Sequence, residues 1–265
     1  MRNSFEIPFY ATDLPCPLPT DAEIENAPDI SLEYGGRRIV GVGLHFVVKF
    51  GPGVNLLEVE NMLFIRENTN ISVPRIFALY SNPESGKNYI VVERIIGHTL
   101  LSAWPQLELS EKKSIVNTLQ KYFEELRQLP SPKYFGSFGK RHLLDEILWT
   151  CDPDPSINGP FDSEEELNEV MIQKYIYNGG PHYRAEYFRY CFPLIFKGHE
   201  ATFTHGDFQR KNIIIRDEGR ADYQSPSVVI IDWEKAGGIQ RIGNIAWLFG
   251  LYDGMTTGAF GSTMF

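Results

Sequence analysis

The sequence predicts an α+β, two-lobed fold, with a small β-rich N-terminal lobe and a larger, mainly helical C-terminal lobe. Three observations lead there. Between residues 34 and 96, runs of strand-like composition flank one helical pattern. After Gly97 the apolar spacing turns helical. Late in the chain two β-branched runs, "NIII" and "VVIID", each carry a metal-friendly side chain at one end. A chain of 265 residues that is 43% hydrophobic can bury such a core, in one large domain or in two lobes.

Residues 1–33 are rich in proline and acid and read as an extended lead-in. "YGGRRIVGVGLHFVVKF" (34–50) is β-like, and "GPG" (51–53) makes a turn. "NLLEVENMLFIREN" (55–68) reads as a helix with Asn55 as its cap, Glu58 reaching back to complete a capping box, and Leu56, Val59 and Leu63 at helical spacing. "RIFALY" and "NYIVVERI" then read as strands that close the 34–96 lobe, with a linker at about 94–99. Beyond it, Ser110 is expected to cap a long helix whose stripe is Ile115, Leu119, Phe123 and Leu126, ending before Pro130. The acidic, turn-rich "CDPDPSINGPFDSEEELNEV" reads first as a solvated loop leading into a helix, and second as an insert whose carboxylates meet a cationic substrate.

Bulk properties exclude several classes. Cys16, Cys151 and Cys191 are odd in number, far apart and form no CxxC pair, so neither a zinc site nor a disulfide framework is indicated. A net charge of −9 argues against a nucleic-acid backbone binder. No apolar run approaches the roughly 20 residues that span a bilayer, and no secretory signal opens the chain. The expectation is a cytoplasmic protein with no membrane partner.

The chemistry gathers in "HGDFQRKN" and "VVIIDWE". Phosphoryl transfer needs divalent metal on the triphosphate, a carboxylate to orient the attacking hydroxyl, and a cation on the phosphates. Asp232 and the Asn212 amide supply a hard oxygen pair of the kind Mg²⁺ takes. Asp207 is then free to accept the hydroxyl proton. Lys49, at the end of "FVVKF", is the candidate cation. The helix that follows carries Glu58, Glu60 and Glu67; because Glu58 has a capping task, Glu60 is the expected ion-pair partner.

This ordered set (lysine, helix glutamate, "VVERI" linker, "HGDxxxxN", "IDWE") resembles the aminoglycoside phosphotransferase and choline kinase-like family, within the protein-kinase-like fold, over roughly residues 34–237. The resemblance implies ATP and Mg²⁺ as cofactors, with Asp207 as catalytic base and Asn212 and Asp232 as metal ligands. It further implies that Lys49 meets the nucleotide phosphates, that Glu60 fixes Lys49, that the backbone of Glu93 to Ile95 meets the adenine edge, and that His205 is structural. The implied acceptor is a hydroxyl of a small molecule, aminoglycoside-like or an amino-alcohol, with no nucleic-acid partner. A protein substrate fits less well, because "HGD" stands where protein kinases have "HRD" and no "DFG…APE" segment is present. The alternative is a truncated kinase-like module that binds nucleotide or a partner without turnover.

The glycine-rich stretch "GGRRIVGVG" lacks a recognisable phosphate-loop fingerprint. The segment 238–265 departs further from the family, which continues with a tryptophan- and tyrosine-rich stretch. "GGIQRIGNIAWL", back-translated with suitable synonymous codons and read in a neighbouring frame, yields "WYPADWEYCL". The expectation is that residues from about Gly238 onward are an out-of-frame reading of acceptor-lobe sequence, in a chain that would bind nucleotide yet lack part of its acceptor pocket.

Overall fold

A computed structural model describes residues 7–31, 35–145, 148, 150–152, 154–217 and 227–240. In chain order the strands and helices are β1 (Phe9–Tyr10), α1 (Asp21–Asn26), β2 (Arg38–Val42), β3 (Phe46–Gly51), α2 (Leu57–Asn68), β4 (Ile76–Asn82) and β5 (Lys87–Glu93). Then come β6 (Gly97–Thr99), α3 (Leu100–Ala103), α4 (Leu109–Gln128), β7 (Gly136–Ser137), α5 (Pro155–Asn158), α6 (Glu164–Tyr177) and α7 (His182–Ile195). The last are β8 (Ala201–Thr204), β9 (Ile213–Arg216), β10 (Val228–Ile230) and β11 (Gly237–Gln240). The described residues form two compact units, one falling within 1–129 and 205–236, the other within 130–204 and 237–240. The expected lobe boundary at 96/97 falls inside the first unit.

The first unit is built on a five-stranded antiparallel sheet in the order β1-β4-β5-β3-β2. Alternation along the strands sorts its side chains to two faces. Val40, Val48, Phe50, Phe77, Tyr89 and Val91 pack with Ile24 of α1. Lys49 alternates to the other face, directly across from Ile39 on β2 and Ile90 on β5. Residues 1–33 are therefore not simply an extended lead-in. Thr20 caps α1 in a reciprocal box with Glu23, and β1 adds a fifth strand beside β4. The signal was present in "TDAE", a Thr-x-x-Glu capping box ahead of an isoleucine that becomes fully buried.

Two other expectations of local structure shift. Asn55 accepts a bond from the Leu57 N–H (3.0 Å), but Glu58 does not reach back to close the box. The buried side of α2 runs through Leu57, Glu58, Val59, Asn61, Met62 and Ile65, so of the expected stripe Val59 is buried while Leu56 and Leu63 stay half-buried. In α4 the cap is Glu108, in a box with Glu111, and not Ser110. The predicted α4 stripe does face inward: Ile115 packs with Leu100, Ile213 and Val228, Leu119 lies against them, and Phe123 meets the Phe208 ring edge-on. A second sheet, β10-β9-β6, carries the strands that flank the site. Gly97 is required there, since a Cβ would lie 2.0 Å from the Ile215 carbonyl oxygen.

The second unit holds the three-stranded sheet β7-β11-β8 and the pair α6 and α7. Phe135, Leu148, Ile157, Phe161, Leu167, Val170 and Ala201 form one core cluster; Ile172, Ala185, Phe188, Phe192 and Phe196 form another. The acidic stretch leads into a helix, α6, as its first reading expected, but it is not a solvated loop: it carries α5, and Ile157 and Phe161 are buried in the core. Asp154 and Ser163 cap α5 and α6, and the Glu164 carboxylate is bound by the His199 ring at 2.6 Å. Gly238 to Gln240 lie in β11; the rest of the segment read as out of frame, residues 241–265, lies outside the described residues.

Candidate active site

The residues singled out by "HGDFQRKN" and "VVIIDWE" all fall in the first unit. Asp207 sits on the loop between His205 and β9. Gly206 has φ 78°, and a Cβ there would stand 2.2 Å from the Lys235 carbonyl oxygen, so only glycine lets this loop pass so close to the 233–235 turn. The Asp207 carboxylate is surrounded by donors: the Gln209 amide bonds Oδ1, the Asn212 amide bonds Oδ2 at 3.2 Å, and the Lys211 ammonium stands 3.7 Å from Oδ2. Asn212 also donates to the Asp207 carbonyl (2.9 Å). Its amide nitrogen is thereby spent inside the loop, which leaves the side-chain oxygen as the atom it can offer a cation.

His205 is buried and joins this loop to the next strand. It accepts the Asp207 N–H at Nδ1 (3.3 Å) and donates from Nε2 to the Ile231 carbonyl (2.9 Å). Both bonds together require the neutral ring with its proton on Nε2. Burial pushes its pKa below the usual histidine value, so the neutral form persists. The backbone bond from Ile231 N–H to the Asn212 carbonyl (3.0 Å) adds a second tie between loop and strand.

Asp232 adopts the left-handed conformation, φ 63° and ψ 55°, between β10 and a single 3₁₀ turn over Trp233–Lys235. Aspartate enters this region more readily than most residues, at a cost of roughly 1–2 kcal/mol. The surroundings hold it there. Trp233 is fully buried against His205 and donates from Nε1 to the Ile230 carbonyl (3.0 Å). The amide of Asn61, on α2, donates to the carbonyls of Trp233 (2.8 Å) and Ala236 (3.3 Å).

Lys49 is buried at the centre of this arrangement. Its Nζ lies 2.6 Å from Glu58 Oε2, 3.1 Å from Asp232 Oδ1 and 3.5 Å from Glu234 Oε2. Burial disfavours the ammonium, but the three carboxylates outweigh it and hold the lysine charged, well above its usual pKa. Burial would likewise raise Asp232, and Lys49 brings it below the usual carboxylate value. Glu58 is raised by burial, an effect that Lys49 opposes. Glu58, Asp232 and Glu234 each place a carboxylate oxygen within 4.8 Å of the others.

Glu60 is the correction here. The Lys49 partner is Glu58, because residues two apart on a helix point about 200° away from each other. Once Glu58 faces the sheet, Glu60 is turned aside, and it is only half-buried. Glu93 and Ile95 lie at the end of β5 and in the segment after it. The Glu93 side chain accepts from Arg216 Nη1 (2.8 Å) and from the Arg75 N–H (3.2 Å), tying β5 to β9. Sequence reasoning missed Asn61, Arg37, Gln209 and Lys211. The last two lie inside the quoted motif; nothing local marks Asn61 or Arg37.

Residues 37–249 match the phosphotransferase enzyme family, and the chain belongs to that family. Its fold is the protein-kinase-like α+β fold of the aminoglycoside phosphotransferases. The GDP complex of aminoglycoside 2'-phosphotransferase-IIIa superposes with TM-score 0.54 at 13% identity, over 83% of this chain and 71% of that one. The streptomycin–ATP ternary complex of APH(2")-IIa gives 0.51 at 14%, over 83% and 72%. A thermostable mutant of APH(4)-Ia with ADP and hygromycin B gives 0.51 at 14%, over 80% and 67%. A subtelomeric hrmA-associated cluster protein of Aspergillus fumigatus is 31% identical over 88 residues, which are 32% of this chain and 17% of that protein. The match thus spans less than a fifth of that curated relative. Among the described residues no helix is long and apolar enough to cross a membrane.

Proposed function

We propose that the chain is an ATP- and Mg²⁺-dependent phosphotransferase that moves the γ-phosphate to a hydroxyl of a small molecule. The observation that carries this reading is the buried Lys49 ammonium, held between Glu58 at 2.6 Å and Asp232 at 3.1 Å. A lysine kept charged by a helix glutamate and a strand-end aspartate is poised to take up phosphate oxygens. Family membership and the nucleotides bound by the structural neighbours support the same reading.

The donors fit a hard divalent cation: the Asp232 carboxylate and the side-chain oxygen of Asn212 would hold it. Bound there, the metal would neutralise charge on the phosphates. The remaining work belongs to the chain. Glu58 orients Lys49 toward the phosphates. Asp207 accepts the proton of the attacking hydroxyl, while Gln209 and Asn212 fix the rotation of its carboxylate and Lys211 offers positive charge beside it. His205 couples the base loop to the Asp232 strand, so that the two carboxylates keep one relative geometry. The peptide edge from Glu93 to Ile95 meets the nucleotide base. A cationic acceptor of aminoglycoside or amino-alcohol type suits a chain of net charge −9.

The test is thermal melting with Mg·ATP and Mg·GTP, controlled by Asp232→Asn, followed by a panel of hydroxyl acceptors. A ligand at about a hundred times its dissociation constant adds roughly 2.7 kcal/mol to the native state. A magnesium-dependent shift that Asp232→Asn abolishes is the expected result. A cooperative melt that neither nucleotide moves would sink the reading; a shift with no turnover on any acceptor would favour the binding module.

A further inference from the structure

The two arginines of "GGRR" face different parts of the first unit. Adjacent residues of an extended chain point to opposite faces. Arg38 turns toward α1 and the segment after it, with Nε 3.0 Å from Asp29 Oδ1 and Nη1 donating to the Glu25 carbonyl at 3.1 Å. Arg37, just before β2, turns to the face that carries Lys49 and forms an ion pair through Nη1 with Glu234 Oε2. Both partners are largely covered, at 25% and 14% side-chain exposure.

Glu234 needs that partner. It is the third carboxylate of a set whose oxygens lie within 4.8 Å of one another. Lys49 is shared among all three and lies furthest from Glu234, at 3.5 Å. In the reaction proposed above Lys49 must leave Asp232 for the nucleotide phosphates. Arg37 is then the cation that remains on Glu234. With Lys49 and Arg37 both in place the five groups sum to one negative charge; without Arg37 they sum to two. A cluster of that charge, with three carboxylates converging, would hold a divalent cation before any nucleotide arrived.

We propose that Arg37 is a positioning residue that keeps Glu234 out of the metal's coordination shell. Asp232 and Asn212 then remain the protein ligands, and the metal is recruited together with the nucleotide. This rests on the phosphotransferase reading.

The experiment is Mn²⁺ binding by electron paramagnetic resonance without nucleotide, alongside melting with Mg·ATP, for the wild type and for Arg37→Gln, Arg37→Lys, Glu234→Gln and the Arg37→Gln/Glu234→Gln double variant. Removing one cation beside the site should tighten nucleotide-free Mn²⁺ binding on the order of tenfold in Arg37→Gln. Arg37→Lys should stay near the wild type, and the double variant should return toward it. Arg37→Gln binding Mn²⁺ no tighter than the wild type overturns the proposal, as does a double variant that stays as tight as Arg37→Gln. If Arg37→Gln fails to fold, Glu234→Gln decides: it should keep the Mg·ATP shift, and losing it as Asp232→Asn does would make Glu234 a ligand and overturn the proposal. A wild type with no Mg·ATP shift overturns the phosphotransferase reading and this proposal together, whereas the manganese outcomes overturn this proposal alone.

Discussion

Among the described residues, the side chains that position the Asp207 carboxylate lie within five residues of it: Gln209, Lys211 and Asn212, with His205 holding its backbone. Asp232 is held from far away. Lys49 is separated from it by 183 positions, and Asn61 grips the following turn across 172. The first arrangement is a self-contained loop whose geometry travels with a dozen residues. The second exists only after β3, α2 and the segment that follows β10 have come together, and it draws on buried partners, Lys49, Glu58 and Asn61, where Gln209 and Lys211 of the loop are exposed. The difference separates chemistry that a local motif carries from chemistry that the fold itself assembles.

The strongest way to break that contrast is Lys49→Ala. Removing one member of a buried ion pair leaves the other unpaired, so we expect a loss of about 3–5 kcal/mol in urea unfolding. A loss under 1 kcal/mol would mean that Glu58 does not depend on Lys49. Asp207→Asn should behave oppositely. Turnover should fall by about 10²–10⁴, while unfolding stability stays within about 1 kcal/mol and the Mg·ATP melting shift persists. If that variant unfolds instead, the loop is not self-contained.

Asn61→Ala probes the remote grip without touching a charge. It leaves the Trp233 carbonyl without its buried donor, so a loss of about 1–3 kcal/mol is expected, with weaker nucleotide-dependent stabilisation. An unchanged melt would show the turn to be held by Trp233 packing alone. Glu58→Gln and Glu60→Gln then compare two positions on one helix. The first should cost several-fold more than the second, which we expect to remain within about 0.5–1 kcal/mol of the wild type; equal effects would reopen the assignment of the Lys49 partner.

The smallest effect is on pH. Burial lowers the His205 pKa, so the unfolded chain binds its proton more readily than the native one. Stability from this group is complete above the unfolded value near 6.5 and declines as pH falls below it, by at most about 1.4 kcal/mol per pH unit. His205→Gln should flatten that part of the pH–stability curve. An unaltered slope between pH 6.5 and 5 would assign the dependence to another group.

Much of this was legible in the residue string. The strands of the five-stranded sheet from Arg38 onward, the helices α2 and α4, and the grouping of Asp207, Asn212 and His205 in one loop follow from alternation, helical spacing and a compact motif. Errors came where two local tasks competed for one side chain. Glu58 could cap its helix or face Lys49. Its capping alternative is only a few residues away, but the buried ammonium of β3 is the stronger claim on a carboxylate. Thr20 and Glu23 were overlooked because proline-rich flanks hid a one-and-a-half-turn helix.

The sequence by itself determined the strands from Arg38 to Glu93 with α2 among them, the helix α4, the family to which the chain belongs and the loop that carries Asp207, because each depends on bonds and periodicities spanning a few residues. Only the tertiary structure decided that Glu58 and not Glu60 meets Lys49, that Asn61 holds the Asp232 turn, and that Arg37 and Arg38 divide between Glu234 and Asp29. Those pairings are set by which faces become buried against each other. A charge or amide shut away from water takes whichever complementary group the packing brings within about 3 Å, however distant in the chain.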